Sequence, residues 1–141
     1  MKKTAHEFKG GWGKIIIEAP TQKAAKKALQ SFKLKILYLT VHKQAFDVMV
    51  TGEKTNEFRK YTKWIISRLI DKKTLKPKEY DVVKIVNGYG NSRPYFIAEF
   101  KGFFYAELFS VIHYSNGLQV KQEPGDFVIK LGKITETKHC I

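Results

Sequence analysis

The sequence predicts an α+β fold: a small β-barrel with inserted helices, preceded by an N-terminal strand–helix extension. Three observations carry this. Short β-branched and aromatic runs follow one another at close spacing, separated by turn-forming residues, as in small barrels. Two helical patterns fall early among those strands. Positive charge is gathered ahead of the main body, where residues 1–40 hold nine lysines against two glutamates. The expected division is a basic extension over 1–33 and one main domain over 34–141.

Within the extension, Lys14-Ile15-Ile16-Ile17-Glu18 is β-branched and reads as a strand. Pro20 ends it, and Thr21 supplies an N-cap oxygen. A helix then runs to Phe32, with Ala25, Ala28, Leu29 and Phe32 on one face and Lys23, Lys26, Lys27 and Gln30 elsewhere. Those lysines form either a solvated face or a phosphate contact. The extension is expected to pack on the main body.

The main body opens with a strand over Leu34 to Val41. A short helix follows from His42 to Thr51, turning Phe46, Met49 and Val50 inward, and Gly52 is placed as its left-handed cap. Thr55 to Arg59 reads as a strand. Thr62 to Ile70 reads as a second helix with Trp64, Ile65 and Leu69 as its apolar stripe. After a lysine-rich loop over Lys72 to Lys78, Tyr80 to Val86 has the pattern of a buried strand. Asn87-Gly88-Tyr89-Gly90-Asn91 is a turn by composition. Pro94 to Phe104 is a long aromatic strand, in which Tyr95, Ile97 and Glu99 alternate with Phe96, Ala98 and Phe100. Asn116-Gly117 and Pro124-Gly125-Asp126 mark turns, and Phe127 to Leu131 is the last strand.

Composition narrows the function. With 141 residues and 43% hydrophobic residues, the chain is long and apolar enough for an ordinary core. Lys and Arg total 26 against 13 Asp and Glu. That excess costs self-repulsion on folding, so a polyanionic partner is the first expectation. One cysteine, Cys140, excludes an internal disulfide and suits a reducing compartment. Apart from adventitious binding at His139-Cys140, no metal-ligand spacing occurs, and no metal or cofactor is expected. The basic start lacks an apolar signal core, and the apolar run from Tyr95 to Tyr114 is broken by Glu99, Lys101, Glu107 and His113. The expectation is a cytoplasmic protein with no membrane association.

The most informative segment is Gly52-Glu53-Lys54-Thr55-Asn56-Glu57-Phe58-Arg59. Gly52 lets the chain turn out of a helix, and Lys54 sits at the mouth of the next strand. There Thr55, Glu57 and Arg59 alternate onto one face, with Phe58 on the other. Two cations in such a cluster can hold a phosphate or polarise a carbonyl. Glu57 can orient them or act as a general base. The plainer alternative is a surface ion pair of Glu57 with Lys54 or Arg59, worth little.

GEKTNEFR matches the G-x-K-x-x-E-x-R signature of ASCH domains, which belong to the PUA-like β-barrel superfamily. The preceding LYLTVHKQAFDVMVTGEK resembles the first strand and helix of these domains. KYTKWIISRL resembles the aromatic-basic helix of the ASCH proteins of phages and bacteria. YDVVKIVNGYGNSRPYFIAEF and FVIKLGKI resemble their middle and last strands. The resemblance covers Leu34 to Ile134. It implies a PUA-like barrel with a cleft lined by Lys54, Glu57 and Arg59, and a role in binding RNA or modified nucleosides. Some members of the family are enzymes: one group removes the acetyl group of N4-acetylcytidine with a lysine, a threonine and a glutamate, and another is a ribonuclease. Lys54 matches the lysine of the amidohydrolase motif. Glu57 stands where that group has its hydroxyl, Thr55 lies two positions earlier, and the separate glutamate has only Glu99 and Glu107 as downstream counterparts.

RNA binding needs phosphate neutralisation and flat surfaces for stacking. Lys60, Lys63, Arg68, Lys72, Lys73, Lys76 and Lys78 crowd the segment after the motif, with Tyr61 and Trp64 among them. Tyr89, flanked by glycines, is the expected stacking residue; Arg93 is placed to reach a phosphate, and Trp64 is expected in the core. The expected ligand-binding set is therefore Lys54, Thr55, Glu57, Arg59, Lys60, Lys63, Tyr89 and Arg93, with Lys54 and Glu57 as candidate catalytic groups. Three functions compete: a module binding RNA or a modified nucleoside, a hydrolase acting on either, and an interaction protein whose charge targets an acidic protein.

Overall fold

A computed structural model of the chain describes residues 2–10, 13–31, 34–90 and 92–139. The chain divides into two compact units, Met1–Leu34 and Lys35–Ile141.

In the first unit, β1 (Thr4–Gly10) and β2 (Gly13–Ala19) form an antiparallel hairpin, and α1 (Gln22–Ser31) follows. The expected strand–helix extension is thus a hairpin followed by a helix. β1 escapes the sequence reading because TAHEFKG, with Phe8 as its one large apolar residue, carries little strand signal until β2 pairs with it. Thr21 caps α1 as expected, its Oγ1 accepting the Ala24 N–H at 3.1 Å. The His6 ring joins hairpin to helix, with Nδ1 2.6 Å from Gln22 Oε1 and Nε2 3.1 Å from the Ala19 carbonyl. Ala25 is buried as expected; the side chains of Ala28, Leu29, Gln30 and Phe32 lie outside the described residues, as does Cys140.

The second unit runs β3 (Ile36–Val41), α2 (Lys43–Val50), β4 (Asn56–Arg59), α3 (Lys63–Leu69), β5 (Val82–Asn87), β6 (Tyr95–Tyr105), β7 (Ser110–His113), β8 (Gln119–Gln122) and β9 (Phe127–Lys138). Five strands form one sheet in the order β3-β5-β6-β9-β4, with β3 and β5 parallel and the remaining pairs antiparallel. β7 and β8 form a separate hairpin around the Asn116-Gly117 turn.

The sheet curls into a half-barrel. The curl has a local cause. β6 and β9 are the longest strands, and their pairing slips register at three points between Ile97 and Phe103. Such irregularities bend a strand and increase its twist. Gly102, at φ +92° inside the last slip, takes a backbone conformation that a side chain would oppose. As a result β9 pairs with β6 along its length and with β4 at its start. The two ends of the sheet, β3 and β4, come within one side chain of each other: Arg59 Nη2 on β4 donates to the Thr40 carbonyl on β3 at 2.8 Å.

The concave face holds the core. Leu37, Leu39, Val83, Ile85, Phe96, Ala98, Phe127 and Ile129 project from the sheet, and Phe46 and Met49 of α2 and Ile65 and Leu69 of α3 cover them. Each fully buried Leu, Ile or Phe contributes about 1.5–3 kcal/mol. Trp64 does not join them and is half exposed. It precedes Ile65 by one residue, so it lies about 100° around the helix from the Ile65–Leu69 stripe. At the far end of β6, Phe104 and Tyr105 are likewise half exposed.

Candidate functional site

The site begins where α2 ends. Gly52, at φ +88°, reverses the chain, and its N–H donates to the Met49 carbonyl at 3.0 Å. The Lys54 N–H then returns to the Val48 carbonyl at 2.9 Å. This tight exit aims the Lys54 side chain inward. Only 2% of Lys54 is exposed. Its ammonium donates to the Asn56 carbonyl, lies 3.4 Å from Glu57 Oε1, and sits 5.2 Å from the centre of the Phe58 ring.

Glu57 is also buried and is the hub of the cluster. Oε1 accepts the Phe58 N–H at 3.0 Å, and Oε2 lies 3.3 Å from Arg59 Nη2. The arrangement is Lys54–Glu57–Arg59, one carboxylate between two cations, tied through Arg59 to β3. Burial pushes the Lys54 ammonium below its ordinary pKa; the Glu57 carboxylate opposes this, and the Arg59 charge adds to it. Burial raises the nearby Tyr114 phenol above its ordinary value, with negative charge on Glu57 and Glu53 adding to the effect.

A cleft of about 720 Å³ opens above the cluster, between the two sheet ends. That is within the usual range for small-molecule sites. Lys54, Glu57, Phe58, Arg59 and Lys60 line it from β4 and the residues beside it, Thr40 and Val41 from β3, His42 from the cap of α2, Gly88 and Tyr89 from the turn after β5, and Leu118 to Lys121 from the β7–β8 hairpin. Tyr89 is 89% exposed, so its ring faces are open. Lys60 is held at 2.9 Å from Glu123 and 3.1 Å from Asp126, which raise its pKa and already partner its charge.

The hairpin is fastened to the helix exit. Both carboxylate oxygens of Glu53 accept the Ser115 N–H at 3.2 Å, and Oε2 accepts the Ser115 hydroxyl at 3.0 Å. Asn116 Nδ2 donates to the Gln44 carbonyl at 2.8 Å. These bonds set the wall formed by Leu118 to Lys121.

Of the expected residues, the structure gathers Lys54, Glu57, Arg59, Lys60 and Tyr89 in one cleft and leaves out the other three. Thr55 is exposed and outside the lining, and its carbonyl accepts the Leu131 N–H at 2.9 Å. It precedes β4, so the alternation that was expected to set it beside Glu57 and Arg59 does not extend to it. Lys63 is exposed at the start of α3. Arg93 donates from Nε to the Asn87 carbonyl at 2.7 Å and lines a separate hollow with Lys84, Tyr95 and Lys138; it braces the turn that carries Tyr89. Glu99 accepts the Lys133 N–H at 2.9 Å and lies 3.6 Å from Lys101; neither it nor the exposed Glu107 lines the cleft.

Thr40, His42 and the residues from Leu118 to Lys121 are absent from the expected set. The Asn116-Gly117 turn was the one signal for a hairpin here, and nothing local tied that hairpin to the motif. Comparison with known proteins finds no matching family model, no matching curated protein and no matching solved structure. Among the described residues, no group of three or more His, Cys, Asp or Glu is placed to hold a metal ion, and no helix is long and apolar enough to cross a membrane.

Proposed function

We propose that this chain is a PUA-like ASCH domain that binds RNA or a modified nucleoside in this cleft, acting in the cytoplasm. One observation carries the reading: a single cleft joins the buried Lys54–Glu57–Arg59 cluster to the exposed ring of Tyr89. A nucleobase has a polar edge and two flat faces. The cluster supplies fixed donors and an acceptor for the edge, and Tyr89 supplies a stacking surface. Lys121 lines the same cleft with no carboxylate within ion-pair distance among the described residues, so its charge is available to a phosphate. Lys60 contributes less, because Glu123 and Asp126 already partner it.

The threonine and glutamates that the family resemblance offered, Thr55, Glu99 and Glu107, are all outside the cleft, while Thr40 lines it beside Lys54 and Glu57, so the fate of the RNA in the assay below decides between binding and hydrolysis.

The test is a titration of single-stranded RNA and of modified nucleosides against wild type, Tyr89→Ala and Lys121→Ala, with mass spectrometry of an N4-acetylcytidine RNA after incubation. Saturable binding weakened by both variants, with the RNA mass unchanged, is the expected result. About five phosphate contacts would give a log–log salt slope on the order of −4. Loss of acetyl or chain cleavage would replace this reading with the hydrolase, and a flat salt response would remove the electrostatic footprint.

A further inference from the structure

We infer that the bound nucleic acid is single-stranded and leaves the cleft across a platform formed by Tyr61 and Tyr105. This rests on the RNA reading above and specifies the form of the ligand. Phe127 is fully buried, and both tyrosine rings lie on it. The Tyr61 ring is stacked at 5.5 Å and 8°, and the Tyr105 ring is tilted at 4.8 Å and 44°. Even so, Tyr61 is 64% exposed and Tyr105 48% exposed. Each ring therefore has one side fixed by packing and the other open to solvent. Such rings are held in place before a base arrives, so stacking on them costs little ordering.

The platform adjoins the cleft. Tyr61 follows Lys60, which lines the cleft, and Phe127 is the register partner of Arg59, which also lines it. Charge favours a polyanion, and the open ring faces favour one that carries bases. Lys63, two residues after Tyr61, has no carboxylate partner among the described residues, and on the same helix Arg68 lies 5.3 Å from the centre of the half-exposed Trp64 ring. The chain as a whole carries a net +13. A duplex keeps its bases stacked on one another, so only an unpaired strand can use open ring faces.

The test is fluorescence anisotropy with a mixed-sequence single-stranded RNA of about 12 nucleotides, a length within the range that single-strand binders cover. The same sequence as a duplex is the comparison, and thermal melting checks that each variant is folded. Tyr61→Ala and Tyr105→Ala should each weaken single-strand binding on the order of tenfold, with Tyr61→Phe retaining it. The duplex should bind more weakly than the single strand. Alanine variants that bind like wild type, or a duplex that binds equally well, would overturn the platform. The exposed Leu108 and Phe109 nearby would then be read as a protein-facing surface. Tyr89→Ala in the same assay separates the two claims. Loss there with neutral Tyr61→Ala and Tyr105→Ala keeps the cleft and removes the platform. The reverse keeps the platform and removes the cleft, and no RNA binding by wild type removes both.

Discussion

Lys54 Nζ lies 3.4 Å from Glu57 Oε1, and both side chains are withdrawn from solvent. A buried pair of this kind is held by its partners: each charge is tolerable only while the other, and the surrounding hydrogen bonds, remain. The cluster is therefore both the floor of the cleft and a stability determinant of the half-barrel.

Removing either partner is not equivalent. Glu57→Ala strands Lys54 beside Arg59 with no carboxylate and also frees the Phe58 N–H. It should cost about 3–5 kcal/mol in urea unfolding. Lys54→Met keeps the volume, removes the buried charge and leaves Glu57 paired with Arg59, so its cost should be under about 1.5 kcal/mol. Equal losses in the two variants would contradict this account.

Stability should rise with pH in an alkaline window. Lys54 titrates below its ordinary 10.5 in the folded chain, because burial outweighs the opposing pull of Glu57. Between the folded value and 10.5, the unfolded chain binds the extra proton. Raising the pH across that window thus favours the folded state, and below it the benefit is gone. The wild type should gain on Lys54→Met as pH approaches 10.5, read as the difference between their urea unfolding free energies. A difference that stays constant with pH would refute it.

Gly52→Ala isolates a backbone cost. At φ +88° with no heavy atom within 4 Å of an added Cβ, the substitution meets no steric neighbour. The left-handed conformation alone should cost on the order of 1 kcal/mol, visible as a lower denaturation midpoint with an unchanged slope. A neutral result would mean the turn relaxes freely.

Glu53→Ala should loosen the cleft wall without unfolding the sheet. It removes the carboxylate that accepts from Ser115. Hydrogen exchange at β7 and β8 should speed up, while that at β5 and β6 stays protected. Uniform change across both regions would show that the hairpin is not separately fastened.

Much of the architecture is legible locally. The β-branched run before Val41, the helical period through Phe46 and Met49, the cap at Gly52 and the aromatic strand from Tyr95 all carry their signals within a few residues. The motif placed Lys54, Glu57 and Arg59 together because a strand's alternation and one helix exit suffice to do so. The exposure of Trp64 is not legible in the same way, because apolarity alone does not say on which side of the Ile65–Leu69 stripe a ring falls. Nor are β1, β7 and β8, because short polar strands acquire meaning only from their partners.

The sequence by itself determined the basic charge, the α+β class, the order of the main strands and the ionisable cluster at residues 54–59. These depend on composition and on neighbours along the chain. Only the tertiary structure decided that Arg59 reaches Thr40 across the sheet ends, that Leu118 to Lys121 wall the cleft, and that Thr55, Lys63 and Arg93 stand outside it. Those facts depend on how far β6 and β9 bend as their register slips, and that curvature is set by pairing between residues far apart in the chain, from Tyr105 with Phe127 to Tyr95 with Lys138.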